Sequence, residues 1–410
     1  MRFRILEARA QLEQGHFDEA IRLLEDPSSH FESPDLAVSA TAVAAVARIH
    51  QHKLEEAEQI LNQALLKCKS PEAISCGDLF QALGILAGER SDLSSAEKLF
   101  SRSLSFARSH NDPFLEASSL LNLGYESLAQ EHFDEAADRS EAAYQAAQGI
   151  GASVIALVAE GNIGWAYYRL GDAEKALTLS LEAERAAAQR DDVFDQENLL
   201  TNLGYIYMDQ RKFDLASQSF QQALELAKGI QAKQDMYNAL RVLARLQLQT
   251  GDPNKAKDYA DKALDIAQES HNHLDELYPL LVQGQVAALR GDAVKAQQTF
   301  EAVEHDPLSP VSLKWEAQHS LAQLYVDEKR TNAADGEFRA ALATFEAARS
   351  SVQREDFQLS FLTNAAHIYD DYVHFLVAQG KPDQALRWAD YSRARTLSEG
   401  LGLLSNERAS

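Results

Sequence analysis

A glycine stands at positions 84, 124, 164, 204 and 284 and an alanine at 244, so one small residue returns at every fortieth position through the middle of the chain. Twelve residues beyond each comes Ala96, Ala136, Ala176, Ala216, Ala256 or Ala296. This period constrains the fold more than length does. A chain of 410 residues would ordinarily be read as two or three domains, but a solenoid grows in one dimension and needs no single large core. Looser copies flank the array: Ala8 with Ala20, Ala45 with Ala57, Ala322 with Ala334, and Val373 with Ala385.

Between the two small residues of each copy lies a turn signal: "QGHFDEA" at 14–20, "LGDAEKA" at 170–176, "TGDPNKA" at 250–256 and "RGDAVKA" at 290–296. Glycine ends one helix in the left-handed conformation and Asp caps the next. On both sides apolar residues recur at three- and four-residue steps, as in Leu199, Leu200, Leu203, Ile206 and Tyr207, the mark of an amphipathic helix. Each unit is therefore two antiparallel helices, brought close by their paired small residues. Only nine prolines interrupt the chain, which fits an almost wholly helical protein.

The pattern resembles the tetratricopeptide repeat (TPR), whose signature joins Leu-Gly-x-x-Tyr to a later Ala-x-x-x-Phe. Ile163–Tyr167 and Leu203–Tyr207 match the first part; Ala96/Phe100, Ala216/Phe220 and Ala296/Phe300 match the second. The family's leading Trp is replaced by Phe80, Leu120, Glu160 and Leu200, and its closing Pro is mostly absent. The six residues beyond the usual 34 lengthen each helix by about 4–5 Å. The resemblance implies an all-α, right-handed TPR superhelical solenoid of about ten antiparallel helix pairs, and, for variants with longer helices, binding of extended peptides. Four segments are expected: irregular units at 1–72, six 40-residue units at 73–306, a further TPR-like unit at 307–352, and a long-helix terminal unit at 353–410.

In such arrays the first helix of each unit lines the concave face. Two positions before the small residue the chain reads Asn122, Asn162 and Asn202 in three successive units. Asn costs several tenths of a kcal/mol against Ala inside a helix, so a row of them asks for an offsetting gain. An amide donates and accepts together, and a ladder of amides can pair with successive peptide groups of an extended chain. Just after the small residue stand Tyr125, Trp165 and Tyr205, with Tyr168 a turn beyond Trp165, which together suggest an aromatic-walled groove. The alternative is that the amides bond neighbouring helices and the rings are inter-repeat core. Arg241 and Arg245 lie one turn apart on the next first helix, where like charges repel mildly. They want a carboxylate, from Asp209, from Glu197, or from a ligand.

A net charge of −23 repels phosphate backbones and anionic lipid, so the expected partner is a protein or an extended peptide segment, with no nucleic acid and no membrane surface. No phosphate loop, nucleophile elbow or zinc-protease motif appears, so no catalytic, cofactor-binding or metal-binding residue is assigned. His271 and His273 in "SHNHLDE" are read as a polar inter-repeat loop. Cys68 and Cys76, eight residues apart, form no metal or redox pattern and no disulfide framework, which fits a reducing, cytoplasmic location. The opening "MRFRILEARA" lacks the apolar run of a signal peptide.

The last unit, with "HIYDDYVHFLVAQG" and the helix Ala385–Leu401, "ALRWADYSRARTLSEGL", resembles the repeat that precedes the caspase-like CHAT protease domain in bacterial TPR–CHAT proteins. That resemblance implies a non-catalytic regulatory region acting on a CHAT protease in cis, whose His and Cys would lie past Ser410. The alternative is a structural or autoinhibitory scaffold that packs on its own downstream domain or self-assembles.

Overall fold

The computed structural model describes residues 2–13, 15–25, 31, 33–51, 53–66, 68, 76–352 and 366–390. Among these residues all regular structure is helical. The helices are α1 (Arg2–Glu13), α2 (Phe17–Glu25), α3 (Pro34–His50), α4 (Leu54–Leu65), α5 (Cys76–Glu89), α6 (Leu93–His110), α7 (Pro113–Ala129), α8 (Phe133–Ile150), α9 (Ser153–Arg169) and α10 (Ala173–Gln189). There follow α11 (Val193–Asp209), α12 (Phe213–Gly229), α13 (Lys233–Gln249), α14 (Pro253–Glu269), α15 (His273–Leu289), α16 (Ala293–His305), α17 (Val311–Asp327), α18 (Thr331–Ser351) and α19 (Ala366–Ala378). Residues 382–390 are again helical. The long first helix expected for the terminal unit and the end of the Ala385–Leu401 helix fall outside the described residues.

The chain divides into two compact units: unit 1 comprises 1–163 with 185–194, and unit 2 comprises 164–184 with 195–410. Each is a stack of helical hairpins in which consecutive helices pack side by side, the all-α solenoid architecture of tetratricopeptide repeats. In each, first helices of neighbouring hairpins also touch, as α5 with α7 in unit 1 and α13 with α15 in unit 2. In unit 2 that layer curves tightly enough for Arg245 of α13 to reach Glu316 of α17, two hairpins on, at 3.3 Å.

The half-repeat is as regular as the repeat. Every twentieth residue from Ser91 to Gly291 has positive φ and ends a helix. Glycine occupies the site only at Gly151, Gly171, Gly251 and Gly291; elsewhere Arg211, Gln231 or His271, among others, adopts the left-handed conformation. The amide of the following residue bonds back to the helix, as Asp172 N to the Tyr167 carbonyl at 2.9 Å and Lys212 N to that of Tyr207 at 2.8 Å. This closure satisfies carbonyls that a helix end otherwise leaves open. Asp92, Asp172, Asp252 and Asp292 then cap the second helices, each accepting from the amide three residues on at 3.0–3.2 Å.

The alanines twelve residues past each small position are all fully buried, but they are not what the glycines meet. A Cβ at Gly84 would lie 2.6 Å from the ring of Phe100, and one at Gly284 2.7 Å from that of Phe300. At Gly164 the neighbour is the hydroxyl of Ser180, at 2.9 Å. The residue sixteen on therefore fills the space. Where the small residue is Ala244 its counterpart is Ala260, so the added methyl is matched by a smaller partner.

Cys68 and Cys76 are joined in a disulfide, with Cα atoms 5.7 Å apart, inside the range such a bond requires. This corrects the expectation of no disulfide and removes cysteine usage as a sign of a reducing compartment. A spacing of eight residues does not reveal that the chain past α4 returns to the start of α5. Closing so short a loop restricts the unfolded chain by about 2–3 kcal/mol. No described helix is long and apolar enough to cross a membrane.

Candidate functional site

The predicted positions all fall on first helices, and they divide between the units. In unit 1, Asn122 and Tyr125 lie on α7, and Asn162 precedes the glycine of α9. Tyr125 is 63 % exposed. Asn122 and Asn162 are half-buried, and the Nδ2 of Asn162 is buried without a hydrogen-bond partner.

In unit 2, Trp165, Tyr168 and Tyr205 meet as a three-ring cluster. Trp165 lies 4.8 Å from Tyr168 and 5.3 Å from Tyr205, centroid to centroid. Tyr205 is 9 % exposed and packs edge-on against Phe220 at 5.7 Å, so its ring is largely core, while Trp165 and Tyr168 sit on that core partly exposed. The Tyr168 hydroxyl donates to Asp209 Oδ2 at 2.7 Å. That bond ties α9 to α11 and commits the carboxylate expected to serve the arginines. Asn202 is half-buried on the same helix as Tyr205.

Neither arginine takes the internal partner expected from sequence. Glu197 is wholly buried between helices, its Oε1 accepting from Thr201 Oγ1 at 3.2 Å. Arg245 pairs with Glu316 instead, and keeps 44 % of its side chain exposed. Arg241 has no carboxylate partner among the described residues. Its guanidinium carbon stands 4.3 Å from the centroid of Tyr278 and 5.9 Å from that of Tyr237, in reach of a cation–π interaction. Its Nε is buried with no acceptor. Sequence inspection missed Tyr237, Tyr278 and Glu316. The tyrosines carry no column-wide signature, and Glu316 lies where the 40-residue spacing breaks.

At the far end of unit 2, Asp371 Oδ2 on α19 accepts from His319 Nε2 at 2.8 Å and from Gln323 Nε2 at 2.9 Å. The hydrogen bond from His319, first among its causes, holds the Asp371 carboxyl below its ordinary range. His271 is a left-handed helix end, and His273 Nε2 meets Asp306 Oδ2 at 2.7 Å. Among the described residues no three acidic, His or Cys side chains gather as a metal site.

The tetratricopeptide repeat family matches at residues 5–73, 195–269, 277–302 and 371–390, so the chain carries these repeats. No curated protein sequence matches it. Among solved structures it is similar to a Rap protein complexed with competence and sporulation factor, with TM-score 0.69 at 15 % identity over 85 % of this chain and 99 % of that one. NprR in complex with its cognate peptide NprX gives TM-score 0.62 at 16 % identity over 83 % of this chain and 98 % of that one. The apo form of the quorum sensor NprR from B. thuringiensis gives 0.58 at 15 % identity, covering 84 % and 98 %. At such identities the likeness is one of fold.

Proposed function

We propose that the chain is a non-catalytic scaffold that binds an extended segment of a protein or peptide along its first helices. The observation that carries this is the unspent hydrogen-bonding capacity on the first helices of unit 2. Arg241 has a buried Nε–H with no acceptor; it stands against the ring of Tyr278 on the first helix that follows that of Asn202. A groove that offers aromatic surface and unpaired polar groups gains from an extended backbone laid against it. Asn122, Tyr125 and Asn162 provide the equivalent positions on the first helices of unit 1. NprR in complex with its cognate peptide NprX and a Rap regulator in complex with the Phr* peptide have a similar fold, which favours a peptide ligand over other classes.

The test is capture of a partner from the native host by wild type and by Asn122→Ala/Asn162→Ala/Asn202→Ala, after thermal melts show that both fold. A partner retained by wild type and lost by the triple variant supports the amide ladder. Retention by both moves recognition elsewhere, and a much lower melting temperature of the variant assigns the amides to structure.

A finer reading, that the bound segment controls a caspase-like CHAT protease in cis, is supported by the sequence of the terminal unit alone. A coding sequence that continues past residue 410 into a His/Cys protease domain would favour it; one that does not removes it.

A further inference from the structure

We propose that a cavity at the end of α15, bounded by the second helices α14 and α16, binds a small aromatic molecule that carries one anionic group. It shares no residue with the peptide-binding face proposed above and does not rest on that reading. Two turns of nearly the same sequence carry the argument, GDAEKA at 171–176 and GDAVKA at 291–296. In each, the Asp caps the second helix by accepting from the amide of the Lys: Asp172 from Lys175 at 3.1 Å, Asp292 from Lys295 at 3.2 Å. In the first, the Lys175 ammonium stands 3.8 Å from the ring centroid of Tyr167, three residues past Gly164. Tyr207 and Tyr325 hold the same position in their repeats, and Lys212 at 6.0 Å and Arg330 at 4.0 Å face their rings. Three residues past Gly284 the chain has Ala287, and a cavity of about 230 Å³ takes the place of the ring. Of the other core repeats without a ring there, only that of Gln247 has a lysine in the same place. That lysine, Lys255, pairs with Asp252 at 3.2 Å.

The lining suits a ring with a charge at its edge. Val286 and Ala287 give an apolar floor, Lys257, Arg290 and Lys295 supply three cations, and Asp292 supplies one carboxylate. The Lys257 ammonium is already met by Asp261, which also accepts from Gln283 Nε2 at 2.8 Å. Arg290 is anchored by a neutral group, its guanidinium donating to Asn254 Oδ1 at 2.6 Å. The cavity therefore keeps a positive excess in a chain of net charge −23, and such an inversion draws an anion. Lys295, in register with Lys175, gains a cation–π contact once a ring enters. The volume lies below the roughly 300–1,000 Å³ of sites for drug-sized ligands, which limits the occupant to one ring with a short substituent. The anionic group is a carboxylate or a phosphate, both of which a pair of cations holds through charge-assisted hydrogen bonds.

The experiment titrates the full chain by calorimetry with phenylacetate and with phenyl phosphate. Three controls each lack one feature: cyclohexylacetate the π face, phenylacetamide the charge, and inorganic phosphate the ring. Wild type is expected to bind at least one aromatic anion with a Kd of about 0.1–1 mM, and every control about 5-fold more weakly or worse. The tighter of the two anions tells a carboxylate from a phosphate. Ala287→Tyr rebuilds the ring of the sister repeats inside the cavity, and is expected to abolish binding and raise the melting temperature. Lys295→Met leaves the cavity open and is expected to weaken binding about 5-fold, while Lys295→Arg retains it. Binding that survives Ala287→Tyr unchanged places the ligand elsewhere and overturns the proposal. Equal affinity for cyclohexylacetate or for inorganic phosphate overturns it too, as does no binding of either aromatic anion at about 10 mM. If Ala287→Tyr overfills the site and melts lower, Lys295→Met/Arg290→Met decides: loss of binding supports the site, and wild-type affinity overturns it.

Discussion

Where α13 meets α15, the hydroxyl of Tyr237 donates to the backbone carbonyl of Asp275 at 2.6 Å. That carbonyl would normally receive the amide four residues on, but position 279 is proline and has none. Tyr237 therefore closes a gap in the next helix, and amides of Gln234 and Asn272 satisfy the Asp275 carboxylate. One repeat earlier, where α11 meets α13, the same two positions hold Glu197 and Asp235. Both are buried, no cation pairs with either among the described residues, and one oxygen of each carboxyl lacks a partner. Burial first, and then the charge of Asp235, push Glu197 up to about 9; burial pushes Asp235 up to about 6. A phenol is neutral across the physiological range and a carboxylic acid is not. The first rung thus holds at any ordinary pH, while the second depends on Glu197 keeping its proton.

The largest effect is expected from Tyr237→Glu, which turns the first rung into the second. It removes a ring that is 1 % exposed, opens the Asp275 carbonyl, and buries a second acid, for a loss of about 3–5 kcal/mol at pH 8. Urea unfolding at pH 5 and pH 8 measures it; the loss is smaller at pH 5, close to the ordinary carboxylate value, where burying the introduced acid in its neutral form costs less than at pH 8. An equal loss at both would mean that volume alone decides this position.

Glu197→Gln runs the comparison the other way. The folded protein holds the Glu197 proton to about 9, against an ordinary value of 4.5. Below 4.5 folded and unfolded chains are both protonated and nothing is lost. Between 4.5 and 9 the unfolded chain ionises while the fold does not, so stability falls as pH rises through that window. Replacing the acid with its neutral amide is expected to stabilise unit 2 by about 1–3 kcal/mol at pH 8, with the gain fading toward pH 4.5. A gain that persists unchanged at pH 4.5 would show that the amide forms a bond the acid lacked.

The regular part of this architecture is visible in the sequence because each hairpin repeats one steric requirement. A ring or hydroxyl must pass where a side chain would stand at Gly84, Gly164 or Gly284. The helix ends are only half visible. Gly171 and Gly251 announce the left-handed conformation, but Arg211 and His271 adopt it because neighbouring helices and the returning amide impose it, against a local cost of about 1–2 kcal/mol. The candidate face is visible as a set of columns, yet its electrostatics are not. Arg245 finds Glu316 only through the curvature of successive first helices. Tyr205, in register with the exposed Tyr125, becomes core because Phe220 lies beneath it.

The smallest effect separates the Tyr237 hydroxyl from its ring. Tyr237→Phe keeps the packing and removes the donor, for a loss of about 1–2 kcal/mol. Burial holds the phenol well above its ordinary value, so the loss is the same at pH 5 and pH 8, in contrast to the Glu197 variant. In a Pro279→Ala background the helix regains its own amide and the Asp275 carbonyl no longer needs the tyrosine. A double-mutant cycle over Tyr237→Phe and Pro279→Ala is therefore expected to show a coupling of about 1 kcal/mol. Additive effects would mean that the hydroxyl stabilises α15 by some route other than replacing the proline's missing amide, and the two rungs would then differ in charge alone.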